Sequence, residues 1–301
     1  MAAGLTLDRT PRCAPESSPG KLGAVTARQL TLMAVHAHPD DEVLTTGGVL
    51  LRCAQEGLRT VLVTCTNGEL GDAPAGIKPD SPGHDESQVR AVRREELLAS
   101  CRILQVSRLE MLGYLDSGME GWAQNGRPGS LTGAPLEEEV ARLAKLIREE
   151  RPQVLVTYDE SGGYGHPDHI RTHQLAVAAA AATGIPEKVY HTAIPRSAVA
   201  AAARRMREMG VNLQEFQDEM DPDNPPFGVD DSLVTTVVDV SGQVEAKLAA
   251  LKAHASQADN GFLLRFPPEL VRDFLSREYF IRALDRTGAG LPESDLFAGV
   301  R

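Results

Sequence analysis

The chain has 301 residues, 42% hydrophobic and 24% charged, enough for one large globular domain or two small ones. A formal net charge of −11 argues against phosphate-backbone binding as its main task. No apolar stretch approaches the ~20 residues of a membrane helix, and the N-terminus lacks a basic-then-apolar signal pattern. A cytoplasmic protein with no nucleic-acid or membrane partner is therefore expected. The four cysteines, Cys13, Cys53, Cys65 and Cys101, form no C-x-x-C pair and suggest neither a thiolate zinc site nor a disulfide framework.

Residues 1–28 mix Pro, Ser, Gly and charge without periodicity and read as a disordered extension; 29–301 reads as the folded domain. The apolar run 30–36 reads as a buried strand, 46–56 as a helix stopped by Gly57, and 60–64 as a second strand. A Gly/Pro/Asp-rich loop follows over 67–88, then a helix over 89–104 and a short strand over 108–112. Residues 136–150 read as an amphipathic helix, 154–157 as a strand and 169–182 as a long Ala-rich helix. Strands are expected at 188–191 and 234–240, separated by an Arg/Glu/Asp-rich insertion over 198–230. Helices at 242–254 and 268–277 complete the chain. This βαβ alternation predicts an α/β protein, a mostly parallel sheet flanked by helices, with inserted loops and a C-terminal extension.

Two histidine–carboxylate clusters stand where strands end: His36-Ala37-His38-Pro39-Asp40-Asp41-Glu42 and Gly162-Gly163-Tyr164-Gly165-His166-Pro167-Asp168-His169. In open parallel sheets that edge is where ligands bind, so two loops can pool their side chains around one point. Histidine plus carboxylate is the donor set of a hydrolytic zinc site with an open position. Zinc lowers the pKa of bound water toward ~7, and a nearby carboxylate can carry the proton to a leaving nitrogen. Among the bland readings, His36 is a satisfied loop or core residue and His84 an ordinary loop residue. Asp41 and Glu42 could serve the start of the following helix, and His173 is read as a surface histidine before a fourth ligand.

At these motifs the sequence resembles the PIG-L/LmbE-like family of zinc-dependent N-acetylglucosaminyl deacetylases. It looks most like the actinobacterial branch containing the mycothiol-pathway deacetylase and the mycothiol S-conjugate amidase. Other shared-looking segments are Thr64-Cys65-Thr66-Asn67-Gly68-Glu69, Arg93-Arg94-Glu95-Glu96, Leu115-Asp116-Ser117-Gly118-Met119 and Ala253-His254-Ala255-Ser256-Gln257. The resemblance implies a Rossmann-like fold with His38, Asp41 and His169 as zinc ligands and Asp40 as general base. It implies His166 as the oxyanion stabiliser oriented by Asp168, and Tyr164 as a helper that polarises the amide. Arg93, Asp116, Glu69 and Met119 fall on substrate-binding positions. Thr45 stands where the amidase branch carries a lysine, whereas Asp159-Glu160, His169-Ile170-Arg171 and residues 295–300 look closer to that branch.

The leading expectation is a zinc hydrolase that removes the N-acyl group of a glucosamine-containing small molecule. Iron(II) can occupy similar sites. The alternatives are an S-conjugate amidase and a deacetylase of antibiotic or other secondary metabolism; residues 67–88 and 198–230, as an open trough or a closed pocket, discriminate among them. A nucleotide-binding module is disfavoured, because the first strand–helix turn carries carboxylates instead of G-x-G-x-x-G. A non-catalytic metal-binding scaffold is disfavoured because neither Asp40 nor His166 is needed to hold zinc. The sequence leaves a homo-oligomer open.

Overall fold

Strand β1, Thr31–His36, is buried along its whole length, as expected for a central parallel strand covered on both faces. In the computed structural model, which describes residues 29–210, 225, 227–257, 263–264 and 266–301, β1 lies between β2 (Arg59–Thr66) and β4 (Val154–Thr157). Ala34 is in register with Leu62 on one side and Val156 on the other. With β3 (Arg108–Tyr114), β5 (Lys188–Ala193), β6 (Thr236–Asp239) and β7 (Arg277–Asp285), the sheet has seven strands in the order β3-β2-β1-β4-β5-β7-β6. The first five are parallel; β7 runs antiparallel to β5, and β6 antiparallel to β7.

Alternation along β1 sorts its side chains between two layers. Met33 and Val35 join the cluster containing Leu143, Ile147, Leu175 and Ala179, which come from α3 (Leu136–Glu150) and α4 (Pro167–Thr183). Leu32 and Ala34 join the opposite cluster, with Leu50 of α1 (Asp41–Gln55), Leu97 of α2 (Glu86–Ile103) and Phe280 of β7. Each fully buried aliphatic side chain contributes about 1.5–3 kcal/mol, so this two-sided burial is a main source of stability.

The mostly parallel sheet flanked by helices agrees with the sequence reading, but three boundaries differ. Helix α1 begins at Asp41 instead of 46, which brings both acids of the first cluster into its first turn. The start of the expected insertion is a helix, α5 (Arg196–Glu208), with Val199, Ala203 and Met206 buried. Strand β7 was not anticipated. Its Glu278 is 1% exposed and accepts the Gly48 and Val49 N–H groups of α1, while Lys247 of α6 (Val244–Ala253) donates to it at 2.7 Å. Helix α7 (Pro268–Leu275) precedes that strand. The expected extension, residues 1–28, and residues 211–224 and 226 of the insertion lie outside the described residues. Among the described residues no helix is long and apolar enough to cross a membrane.

Glu139 of α3 is fully buried beside Arg171 of α4, with Arg171 Nε donating at 2.8 Å. Burial pushes its carboxyl from 4.5 to about 7 against the pull of Arg171. The folded chain thus holds a proton that the unfolded chain releases near the ordinary value. Stability from this group is full below about 4.5 and falls as pH climbs to about 7. Glu139→Gln is expected to gain on the parent over that window by up to ~3 kcal/mol, readable as a growing Tm difference between pH 4.5 and 8. A constant difference would count against this account.

Candidate metal centre and active site

Because β1 and β4 are neighbours, the loops leaving their carboxyl ends emerge side by side. Residues 37–40 and 158–166 are thereby brought over one edge of the sheet, and α1 and α4 start there. His38 Nδ1, Asp41 Oδ2 and His169 Nε2 converge at that edge. Their separations are 3.3 Å for His38–Asp41, 3.2 Å for His38–His169 and 3.4 Å for His169–Asp41. Three ligands of a tetrahedral zinc with bonds of ~2.0–2.1 Å would stand about 3.3–3.4 Å apart. The donor atoms are therefore already spaced as ligands.

The tautomers agree. His38 Nε2 lies 3.2 Å from Asp168 Oδ2, a carboxylate acceptor, so a ligating His38 would keep its proton there and offer the Nδ1 lone pair on the Asp41 side. Without a cation, and against burial, the surrounding carboxylates raise its pKa well above the ordinary value. His169 Nδ1 lies 3.1 Å from the Gly162 carbonyl and donates to it, which leaves Nε2 as the lone pair. Tyr158, the residue after β4, donates from its hydroxyl to Asp41 Oδ2 at 2.7 Å and stacks on the His169 ring. Burial would raise the Asp41 carboxyl, yet with no cation between them protonated His169 and His38 hold it well below the ordinary carboxylate range; a cation would take the place of those protons. Gly162 is needed at φ 67°, because a Cβ there would lie 2.7 Å from His169 Cβ and 2.8 Å from the Ile170 nitrogen. The close approach at Gly162 is thus to His169 and the Ile170 nitrogen. Gly162→Ala should displace His169 and weaken zinc affinity ~10–100-fold in a competition titration; unchanged affinity would refute that role.

His166 caps α4, its Nδ1 accepting the Asp168 N–H at 3.1 Å. Burial, together with the neighbouring His38 and His169, pushes its pKa down to about 3. The ring is neutral with its proton on Nε2, a donor without charge. The Asp168 carboxylate, expected to orient His166, instead binds His38 and the Ser117 N–H; only its backbone N–H reaches His166. Tyr164 is 63% exposed and stands edge-on to His169 with ring centroids 4.9 Å apart.

The adjacent acids diverge. While Asp41 faces the two histidines, Asp40 Oδ2 lies 3.2 Å from Arg93 Nη2. Burial raises the Asp40 carboxyl above its ordinary value and Arg93 pulls it back. Arg93, assigned to substrate from the resemblance, also donates to the carbonyls of Pro39 and Gly68, so it is built into the wall behind Asp40. Asp116 Oδ1 is 3.8 Å from His38 Nε2 and accepts the Gly118 N–H. Glu69 is fully buried and accepts from the Asp116 N–H and from Arg127 Nη2. Met119 is 44% exposed on the same side.

His36 is a buried core residue bonded to Thr46 and Tyr158, as read from sequence. His173 is bound to the Tyr158 carbonyl and packs on His191, outside the ligand triangle. His84 bonds the Gly71 carbonyl. The sequence reading missed Tyr158 and Arg127. Tyr158 directly follows an apolar strand at the same edge, a signal that could have found it; Arg127 lies in a loop with no pattern.

A family model described as PIG-L, GlcNAc-PI de-N-acetylase, matches residues 33–180, which span both clusters. A relative from Streptomyces scabiei, named 1D-myo-inositol 2-acetamido-2-deoxy-alpha-D-glucopyranoside deacetylase, is 40% identical over 294 residues, 89% of each chain. The chain belongs to the PIG-L family. Among solved structures, an N,N'-diacetylchitobiose deacetylase from Pyrococcus horikoshii superposes with TM-score 0.52 at 21% identity, over 84% of this chain and 83% of that one. A 4-carboxy-2-hydroxymuconate hydratase from Pseudomonas putida superposes with TM-score 0.55 at 19% identity, over 87% and 100%. The PIG-L fold thus underlies more than one chemistry, and the reaction must be argued from the site.

Proposed function

We propose that this chain is a metal-dependent hydrolase that removes the N-acetyl group from a glucosaminyl-inositol, with zinc as the metal. The observation that carries the reading is the triangle of His38, Asp41 and His169 donor atoms, 3.2–3.4 Å apart, next to a second carboxylate, Asp40, that is held by Arg93 and is not one of the three donors. The 40% identical relative named for that reaction supports the substrate.

A divalent cation held by His38, Asp41 and His169 would polarise the amide carbonyl and bring a water's pKa toward ~7. Asp40 takes a proton from the attacking water as oxygen bonds to the carbonyl carbon. It returns the proton to the nitrogen as the C–N bond breaks, giving acetate and a free amine. His166, neutral with Nε2–H outward, donates to the carbonyl oxygen as it gains charge. The Asp168 carboxylate keeps His38 in its ligating tautomer. Sugar and inositol hydroxyls are bound on the side of Asp116 and Met119, while Glu69, fully buried against the Asp116 N–H and Arg127, supports that wall without reaching the substrate.

A second reading, hydrolysis of a bulkier N-acyl group such as that of a mycothiol S-conjugate, is supported by the other side of the site. There a cavity of about 970 Å³ runs from Asp41, Thr45 and His169 past Ala198 and Ala201 to Phe227 and Phe274. An acetyl group fills only a corner of a volume suited to a drug-sized ligand. Zinc-loaded protein incubated with N-acetylglucosaminyl-inositol and a mycothiol S-conjugate in one pot, followed by mass spectrometry, tests both. Loss of acetyl supports the first reading, and cleavage of only the conjugate replaces it with the second. Reaction of neither, with zinc bound, would overturn both and direct the search to amino sugars of secondary metabolism.

A further inference from the structure

Asp40 has φ 100° and ψ −28°, a left-handed conformation that costs any residue with a Cβ. It is the N-cap of α1, yet its side chain makes no capping bond. An N-cap aspartate is ordinarily extended and accepts an N–H of the first turn. Such strain persists only where the surroundings over-determine it.

The determinant is Glu42. The Asp40 N–H donates to Glu42 Oε2 at 2.9 Å. Oε1 of the same carboxylate meets His254 Nε2 at 2.8 Å and accepts from Ser100 Oγ at 2.5 Å. Glu42 is 1% exposed, and His254 and Ser100 are fully buried. Ser100 belongs to α2, and His254 is the C-cap of α6, so three helices fix one carboxylate. None of these three groups belongs to the ligand triangle or to the Arg93–Asp40 contact, and the charges of Glu42 and His254 act on the Asp40 carboxyl in opposite directions.

We infer that Glu42, braced by His254 and Ser100, is a positioning residue for Asp40. It holds the backbone turn that sends two sequence-adjacent carboxylates in different directions, Asp41 to the metal ligands and Asp40 to the water. The inference rests on the hydrolase reading, in which Asp40 is the base. It gives Glu42 a role distinct from favouring the helix N-terminus, which any acid in the first turn would do. Its dependence on geometry also predicts which replacements are tolerated. Glutamine keeps an acceptor oxygen for the Asp40 N–H, and alanine does not.

The test uses the full chain, zinc-loaded, with N-acetylglucosaminyl-inositol as substrate. Glu42→Ala should lower kcat ~100-fold with KM within ~3-fold and one zinc per chain retained, the scale of a misplaced catalytic group. Glu42→Gln should restore kcat to within ~10-fold of the parent. In an Asp40→Asn background, Glu42→Ala should cost no further activity, because it acts through the side chain already removed. A full additional loss in that background, or glutamine no better than alanine, overturns the inference. If Glu42→Ala does not fold, His254→Gln and Ser100→Ala carry the same comparison with smaller losses in kcat alone. If the parent cleaves no acyl glucosaminide, the hydrolase reading fails first. The crystal structure of Glu42→Gln beside Glu42→Ala or His254→Gln then decides: an Asp40 φ still near 100° in the alanine or His254 variant overturns the inference, and relaxation there but not in Glu42→Gln sustains it.

Discussion

Asp40→Asn is expected to lower kcat by ~10³-fold or more while leaving one zinc per chain and KM nearly unchanged. The substitution is isosteric, and Asn can still accept the Arg93 hydrogen bond, so the wall behind the residue should stand. What it removes is the capacity to take a proton, a step that contributes ~10²–10⁴-fold where a positioned base performs it. The ligand triangle lies on Asp41, whose Oδ2 is 3.3 Å from His38 Nδ1, and does not require Asp40. Removing the carboxylate charge beside Arg93 leaves that guanidinium with the Pro39 and Gly68 carbonyls as acceptors, which limits the cost to folding. Steady-state kinetics together with metal analysis of the same preparation decide the matter. An active variant would remove Asp40 from the mechanism; an inactive variant without metal would make it a structural support of the site.

The parts of this architecture that were legible from sequence are those where one physical cause dominates. Residues 31–36 and 154–157 are apolar on both faces because both faces are covered, and such runs can only be central strands. The clusters that follow them concentrate histidine and carboxylate where no helix or strand needs them, so their chemistry stands out. Strand β7 hid because four of its nine residues, Arg277, Glu278, Arg282 and Asp285, together with Arg286 beyond it, carry charge, and the partners of the buried one, Glu278, come from other elements. Glu278 is satisfied by Lys247 and by two N–H groups of α1, some 230 residues earlier in the chain. Arg93 reads from its surroundings as a solvated helix arginine and only the resemblance gives it a role, on substrate; its contacts with Asp40 and with the Pro39 and Gly68 carbonyls appear once α2 is packed against the first cluster. Glu42 reads as one more acid at a helix start, and only the approach of His254 from 212 residues away separates it from that role.

Zinc should raise the Tm of the parent protein and fail to do so for His169→Ala. Binding to the folded state alone stabilises it by about 2.7 kcal/mol at a hundredfold excess over Kd, equivalent to several degrees in a domain of this size. The comparison also separates two groupings of donors. One is the triangle of His38, Asp41 and His169, with His166 within reach of the same two histidines; the other joins His38 to Asp116 and Asp168. In the second, His38 would ligate through Nε2, which already donates to Asp168 Oδ2 at 3.2 Å and lies 3.8 Å from Asp116. Asp168 Oδ1 is buried with no hydrogen-bond partner among the described residues and leaves the second grouping to be tested, while Oδ2 accepts the Ser117 N–H at 2.9 Å and is engaged in orienting His38. Asp116→Asn should therefore keep the zinc-dependent rise in Tm, as should His173→Ala one helical turn beyond His169. Loss of the rise in Asp116→Asn with retention in His169→Ala would transfer the metal to the other side of His38. The base would then need reassignment as well, since Asp40 is placed by the turn that delivers Asp41 to the first triangle.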